Sequence, residues 1–379
     1  MNFYLTINEE PHGLFKSQII DVISFLDKEF DSNLGLVCFI SLRTYFKNRK
    51  IIKSFKLKTI VFPSIPKLYF FRWNIVLLII ACWIYRPKGI IARNVFACKL
   101  ALKCKGLKLT SNVIYDGRGY LKAEAEEYSI YPINIKKQIS DLENLSLKKS
   151  DYIMSITSQM IECWKKEYNY NKTNYVIIPN TIGENFINNN IYDNNNLRNK
   201  LGYNSEDLIL IYSGSNARWQ SLDNTINFCR KQLVLNGKIK VILLTKEIPI
   251  ITKLIHDYPN RVSCKWINSG DVVKYMTICD YGLLMRNKSI TNSVSFSTKF
   301  AEYLSCGLKI ITTNNMAISK FVKDNDLGII IQDINLNADI KSVSKQDKTY
   351  IREIAIKKFT KTSKNNYDNY KKIITLIKQ

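Results

Sequence analysis

Histidine is almost absent from this chain. Only His12 and His256 occur, and the nine cysteines include no C-x-x-C pair. Without a His/Cys cluster at ligand spacing, a structural zinc site is excluded. The scattered cysteines read as free thiols of a reducing compartment. The start, "MNFYLTINEE", lacks a basic segment followed by an apolar one, so it does not read as a secretory signal. Acidic residues are also scarce, at 32 against 56 Lys and Arg, a formal charge of +24. That balance points to an anionic partner: nucleic acid, an acidic membrane face or a phosphorylated substrate. Uninterrupted long apolar runs are missing too. The longest, "IVLLIIACWIY" (75–85), falls short of the ~20 residues of a membrane span.

What is present is enough apolar material, 46% of 379 residues, for two cores of ordinary size. Short β-branched runs recur: "NFYLTI", "LGLVCFI", "KTIVF", "GIIARN", "NVIYD", "DYIMSI" and "NYVIIPN", then "LILIYSG", "KVILLT", "VSCKWI", "DYGLLM", "LKIITT" and "LGIII". Stretches of helical period separate them, among them "SQIIDVISFLDKEF", "TINFCRKQLVLNG" and "FSTKFAEYLSCG". Strands alternating with helices predict an α/β chain of two parallel-sheet domains. The series pauses in the Asn-rich "FINNNIYDNNNLRNK" (186–200), which reads as a linker or exposed loop. We therefore expect a first domain over 1–185, a second over 205–345, and a C-terminal helical segment over 346–379.

Two features of the first half stand out. Seven basic residues and no acidic one lie between Arg43 and Lys58, just upstream of "LYFFRWNIVLLIIACWIYRPKG" (68–89). Either that apolar stretch is a core helix leading into the strand "GIIARN", or it also rests on a membrane surface.

Ligands of parallel sheets sit beyond the carboxyl ends of the strands, so residues just after each strand carry most weight. "LILIYSGSNARWQSLDN" places Gly214 and Ser215 after a strand, followed by Arg218. "KVILLTKEIP" places Lys246 after the next. These read either as ordinary turns or as a loop and two cations that hold a pyrophosphate. In "SFSTKFAEYLSCG", Ser297 stands as an N-cap with Thr298 and Lys299 in the first turn, where free N–H groups favour anions. Gly307 ends the helix. Glu302 falls opposite Phe300, Tyr303 and Leu304, as a solvent-facing residue or a functional one. In the first half, "VIYDGRGYLKAEAEEY" ends a strand at Asp116, with Arg118 between two glycines. Asp116 and Arg118 either form a structural turn network or bind an acceptor. Glu124 and Glu127 either contribute or are helix surface. "DND" (324–326) mimics a metal-binding D-x-D but lies between a helix pattern and a strand, as a turn does.

"SFSTKFAEYLSCGLKII", with "IYSGSNARWQSL" upstream, resembles the donor domain of GT-B glycosyltransferases, most closely glycosyltransferase family 4. Glu302 matches the second glutamate of that family's pair, in its E-A/Y-x-A/S-x-G helix. The first would fall at Val294, where this sequence departs from the pattern. "SFSTK" resembles the S-P-T-K form of cell-surface polysaccharide transferases. "PHGLFKSQIIDVISFL" and "YDGRGYLKAEAEEY" extend the resemblance more loosely to the first half.

The resemblance implies two Rossmann-like domains, acceptor in the first and sugar nucleotide in the second, with the C-terminal segment packing back on the first. It implies glycosyl transfer from a nucleoside diphosphate sugar, a UDP-sugar favoured, to a hydroxyl of a lipid-linked or oligosaccharide acceptor, with retention and no bound metal or cofactor. Arg218 and Lys246 would stabilise the leaving diphosphate, and Glu302 would bind the ribose. Gly13, Gly214, Ser215, Ser297, Thr298 and Lys299 would complete the donor site, while His12 in the same loop as Gly13 reads either as incidental or as a functional base. The expected place is the cytoplasm, peripheral at the inner face of the membrane. Competing readings are a sugar-nucleotide epimerase on the same fold and a basic nucleic-acid-binding protein.

Overall fold

In the computed structural model, which describes residues 1–11, 13–65, 68–188, 195–268, 270–314, 316–332 and 338–379, the chain forms two compact units. The first comprises Met1–Thr181 with Lys361–Gln379, and the second Ile182–Thr360. His12 and most of the Asn-rich segment lie outside the described residues.

Every segment read as a strand is one. In the first unit these are β1 (Asn2–Ile7), β2 (Leu34–Ser41), β3 (Thr59–Ser64), β4 (Gly89–Arg93), β5 (Asn112–Asp116), β6 (Tyr152–Ser155) and β7 (Tyr175–Ile177). They form a sheet of order β3-β2-β1-β4-β5-β6-β7. The second unit holds β8 (Leu208–Ser213), β9 (Ile239–Leu244), β10 (Val262–Cys264), β11 (Tyr281–Leu284), β12 (Lys309–Thr313) and β13 (Gly328–Ile331), in the order β10-β9-β8-β11-β12-β13. Pairing is parallel throughout both sheets, for example Phe3 with Gly35 and Tyr281 with Leu210. Strands β1 and β8 are buried along their whole length, because helices cover both faces. Each sheet reverses its winding beside its first strand, between β1 and β4 and between β8 and β11, which marks the carboxyl ends there as ligand positions.

In the first unit the helices that matter below are α1 (Asp21–Phe30), α2 (Tyr45–Ser54), α3 (Ile75–Tyr85), α4 (Asn94–Gly106), α5 (Leu121–Tyr128), α6 (Ile133–Lys149) and α7 (Ser158–Tyr168). The second unit contributes α8 (Leu222–Leu235), α9 (Ile290–Val294), α10 (Thr298–Ser305) and α11 (Lys345–Phe359). The last helix, α12 (Lys364–Lys378), belongs to the first unit. The C-terminal segment is thus divided. Helix α11, opened by a capping box between Ser344 and Asp347, packs on α10, and its Phe359 stacks among Phe296, Phe300 and Phe321. Helix α12 carries Tyr370, Ile373, Ile374 and Ile377 on one stripe and buries them in the first core. It is tied down by Asn112 Nδ2 to the Leu376 carbonyl at 2.8 Å and by Lys378 Nζ to the Phe30 carbonyl at 2.7 Å. The "DND" triplet closes α-helical Ser319–Asp324 and turns into β13, with Asp326 at φ 49°.

The apolar stretch 68–85 is a 3-10 turn, Leu68–Asn74, running into α3. By length and composition it reaches the lower bound of a membrane-crossing helix, and only 28% of it is buried. Phe71, Leu78, Ala81 and Cys82 face the core. Tyr69, Trp73, Val76, Ile80, Trp83 and Ile84 are exposed, Trp73 and Trp83 by 67% and 69%. It is therefore neither a buried core helix nor a free one, but an apolar surface. The helix α2 that carries Lys47, Arg49, Lys50 and Lys53 also exposes Phe46.

Gly89 lies under α12. A Cβ there would stand 2.6 Å from the Ile377 Cα, and backbone cannot yield as a side-chain tip can. Gly89→Ala should destabilise the protein by about 1–3 kcal/mol through overpacking. Urea unfolding measures it, and an unchanged midpoint would show that α12 is not seated on β4.

Candidate active site

The second sheet gathers its predicted residues along one edge. After β8, the chain turns through Gly214 and Ser215, whose carbonyl accepts from Tyr212 Oη at 2.8 Å. The Ser213 N–H donates to Tyr303 Oη at 2.8 Å, which ties α10 to the end of β8. Arg218 opens the short 3-10 turn Arg218–Gln220 and is exposed. Ser221, at φ 50°, then starts α8.

Next to β8 is β11, and there the sequence reading missed a residue. Arg286, two positions past β11, is only 6% exposed. Its Nη1 donates to Asn292 Oδ1 at 3.3 Å and Ser295 Oγ at 3.2 Å, and its Nη2 to Gln220 Oε1 at 3.1 Å and Ser297 Oγ at 3.4 Å. Its backbone exchanges hydrogen bonds with Thr313 Oγ1 at the end of β12. One guanidinium thus joins the β8 loop, α9 and the start of α10. Ser297 does occupy the N-cap position of α10, but its hydroxyl makes no cap hydrogen bond and instead accepts from Arg286. A charged residue immediately beyond a strand was the available signal.

Thr298 is buried in the first turn of α10, and Lys299 Nζ reaches Glu302 Oε2 at 2.7 Å. Glu302 is 5% exposed, so the solvent-facing alternative is overturned. Residues Phe300 to Ser305 of α10 are all buried, and α11 packs against the helix with Phe359 on Phe300. Gly307 follows at φ +77°, as a helix C-terminus requires. Val294, where the resemblance leads one to look for a first glutamate, ends α9 and is buried. Lys246 follows β9 and is exposed, with its ammonium 5.3 Å from the Trp266 ring centre. Trp266 follows β10, so Lys246 leans to the side of β9 away from β8 and β11.

In the first unit, Gly13 begins the helical turn Gly13–Phe15 that follows β1. Asp116 ends β5 with no exposure at all. Its Oδ2 accepts from Tyr4 Oη at 2.5 Å, Arg118 Nε lies 2.7 Å from Oδ1, and Arg93 Nη1 lies 3.7 Å from Oδ2. Arg93 Nε also donates to both Glu9 oxygens at 2.9 Å. Burial, reinforced by the Asp116 charge, holds the Tyr4 phenol far above its usual range. Asp116 thus lies enclosed at the end of an interior strand, in a buried network with Tyr4, Arg93 and Arg118. Arg118, its partner, keeps 12% of its side chain exposed.

A second buried carboxylate was not visible in the sequence. Glu143 of α6, with no exposure, accepts from the Leu121 and Lys122 N–H groups at 3.1 and 3.3 Å, from Trp164 Nε1 at 3.3 Å and from Tyr168 Oη at 2.9 Å. It caps the start of α5 from a distance of 22 residues in the chain. Burial pushes Glu143 up to about 7, and burial together with the Glu143 charge pushes Glu124 up to about 7.

Both carboxyls have folded values above the 4.5 of the free group. The folded state therefore holds more protons between those values. Their contribution to stability is full below about 4.5 and is lost as pH rises through about 7. Glu124→Gln removes one of them. The melting temperature of the wild type should fall more steeply between acid and mildly alkaline buffer than that of the variant. Parallel profiles would show that Glu124 does not titrate in this range.

Residues 239–375 match the family model of the Glucosyltransferase 3-like, C-terminal domain. No curated protein matches the chain. Among solved structures, HepE of Anabaena in complex with UDP is 14% identical with a TM-score of 0.70, over 99% of this chain and 100% of that one. Sucrose-phosphate synthase of Thermosynechococcus elongatus is 13% identical with a TM-score of 0.72, over 100% and 99%. WaaG, a glycosyltransferase involved in lipopolysaccharide biosynthesis, is 13% identical with a TM-score of 0.63, over 100% and 99%. Read with the two sheets described above, these likenesses give the chain its architecture: two Rossmann-like domains of the GT-B fold.

Proposed function

We propose that this protein is a glycosyltransferase that moves a hexosyl group from a nucleoside diphosphate sugar to a hydroxyl of a lipid-linked or oligosaccharide acceptor, in cell-surface polysaccharide synthesis. The observation that carries the reading is Glu302. A carboxylate is buried in the helix at the carboxyl edge of the second sheet, with one oxygen on Lys299 and the other, which no described residue hydrogen-bonds, free to accept from a ribose diol. The match of residues 239–375 to a glucosyltransferase domain supports it independently. The UDP bound by HepE favours a UDP-sugar here. The likeness to family 4 and a retaining outcome are part of this reading.

The chemical difficulty is charge on the leaving diphosphate. Arg218 and the first turn of α10, at Ser297 and Thr298, supply donors for it, with Gly214 and Ser215 leaving the backbone approachable. Lys246 reaches a phosphate by leaving the Trp266 ring. That contact is worth about 0.5–1 kcal/mol at an exposed site, less than the roughly 1.5–3 kcal/mol of a hydrogen bond to a charged group, so the exchange is favourable. Gly13 would lie by the donor, and Arg118 by the acceptor. The departing phosphate itself can take the acceptor proton, so no histidine base is needed.

Peripheral attachment at the inner face of the cytoplasmic membrane belongs to the same reading. Leaving Val76, Ile80, Trp83 and Ile84 in water forgoes about 1 kcal/mol each. The basic α2 supplies the charge that anionic lipid would meet.

Glu302→Gln should fold normally and weaken UDP by about 1–3 kcal/mol, the value of one charge-assisted contact. 2′-Deoxy-UDP should bind the wild type more weakly than UDP and lose little more on the variant. Titration calorimetry reads both. A lowered melting temperature with UDP affinity untouched would make Glu302 a scaffold residue. Formation of an epimerised sugar nucleotide without transfer would favour the epimerase instead. For the membrane, flotation with anionic vesicles should carry the protein upward, less so at high salt or after Trp73→Ser with Trp83→Ser. Equal recovery with and without vesicles would count against attachment.

A further inference from the structure

Glu124 has no part in the proposed transfer, yet the loop after β5 is shaped around its carboxyl. Its carboxyl turns back over the loop that leaves β5. A Cβ placed on Gly119 would overlap Glu124 Oε1. Gly119 does not adopt the left-handed conformation, which among the described glycines is confined to Gly202, Gly307 and Gly328. Its lack of a side chain therefore serves space, and the space is filled by this carboxyl. Gly117, two residues earlier, lacks a side chain for the Trp164 ring, which would stand 2.7 Å from a Cβ. The β5 loop is thus pressed flat on both counts.

The position of Glu124 is fixed from below. Glu143 holds the Leu121 and Lys122 N–H groups, which sets the first turn of α5 and so the direction of Glu124. Glu143 has four donors. Glu124 has none: among the described residues no hydrogen bond or ion pair reaches its carboxyl. The groups that face it are Glu143 on α6 and the Tyr131 phenol just before α6, both of which disfavour its charge or are disfavoured by it. A half-buried carboxyl beside a like charge costs stability, and a fold retains such a group where a ligand completes it.

The place is the carboxyl end of β5, a central strand, where parallel sheets bind ligands. Sugar hydroxyls suit the Glu124 carboxyl in either form, because they donate to the carboxylate and can accept from the protonated carboxyl. We infer that Glu124, its carboxyl seated in the room that Gly119 leaves, is a binding residue for the acceptor, accepting hydrogen bonds from hydroxyls of its sugar. The inference rests on the glycosyl-transfer reading above and adds a more exposed carboxyl beside buried Asp116.

The test uses the full chain saturated with UDP and three probes, the octyl glycosides of glucose, galactose and N-acetylglucosamine, titrated below their micelle concentrations. Two variants act on the same atoms by different routes. Glu124→Gln keeps the shape and removes the charge, and should melt no lower than the wild type. Gly119→Ala keeps the carboxyl and drives it out of its place. Both should bind UDP within about twofold of the wild type and lose roughly tenfold in affinity for the glycoside that the wild type binds best. Unchanged glycoside affinity in Glu124→Gln, or a wild type that binds UDP but none of the three glycosides, overturns the assignment of Glu124. A wild type that binds no UDP at all overturns the glycosyl-transfer reading itself, and this inference with it.

Discussion

A charge taken out of water must be given partners, and each unit of this protein meets that constraint beside the central strands of its sheet. In the first, Asp116 is surrounded by Tyr4, Arg118 and Arg93, which come from β1, β4 and the loop after β5. In the second, Arg286 reaches Gln220, Asn292, Ser295 and Ser297 from three separate segments. Removing one partner of such a group costs far more than the bond itself is worth, because the charge stays behind. The loops at the carboxyl edges are therefore held to one arrangement by electrostatics, while hydrophobic burial merely holds the sheets together. Loops so fixed can present Glu302 and Glu124 at defined positions.

The strands were legible in the sequence because parallel strands buried on both faces must be nearly all apolar, and runs such as "LGLVCFI" and "LILIYS" have no other use. The turn residues that follow them were legible for the reason that only small or charged residues suit a strand end facing ligand. What escaped was set by contacts between distant positions. Glu143 looks like helix surface beside its lysines, yet it lies one turn beyond Ile139 on the buried stripe of α6. That position was the clue, and its partners Leu121, Trp164 and Tyr168 were not foreseeable from spacing. Glu302 was legible as a candidate from its place in the helix that Gly307 ends. Its burial was not, because periodicity sets it opposite Phe300, Tyr303 and Leu304.

Glycine placement tells a consistent story at two sites of this chain. Gly89 and Gly119 are not there for backbone freedom. One admits the backbone of α12, the other a carboxyl group. In a sequence both look like ordinary punctuation between elements, and only the packing separates a glycine that permits a turn from one that reserves a space.

The first unit is not continuous in the chain. Its core is finished by Tyr370, Ile373, Ile374 and Ile377, after the second unit has been laid down between Ile182 and Thr360. During synthesis, residues 1–181 leave the ribosome with the groove for α12 open and the apolar floor around Ile91 and Ile114 uncovered. The second unit is complete before that groove closes. Order of translation and order of folding are thereby reversed: the half made first is finished last. The interval is the time needed to make nearly two hundred residues, tens of seconds at a few to twenty residues per second. Through that interval the nascent chain exposes both the groove and the apolar surface of α3. A holdase has reason to bind it there, and truncation of the last fifteen residues would leave the first unit in that unfinished state for good.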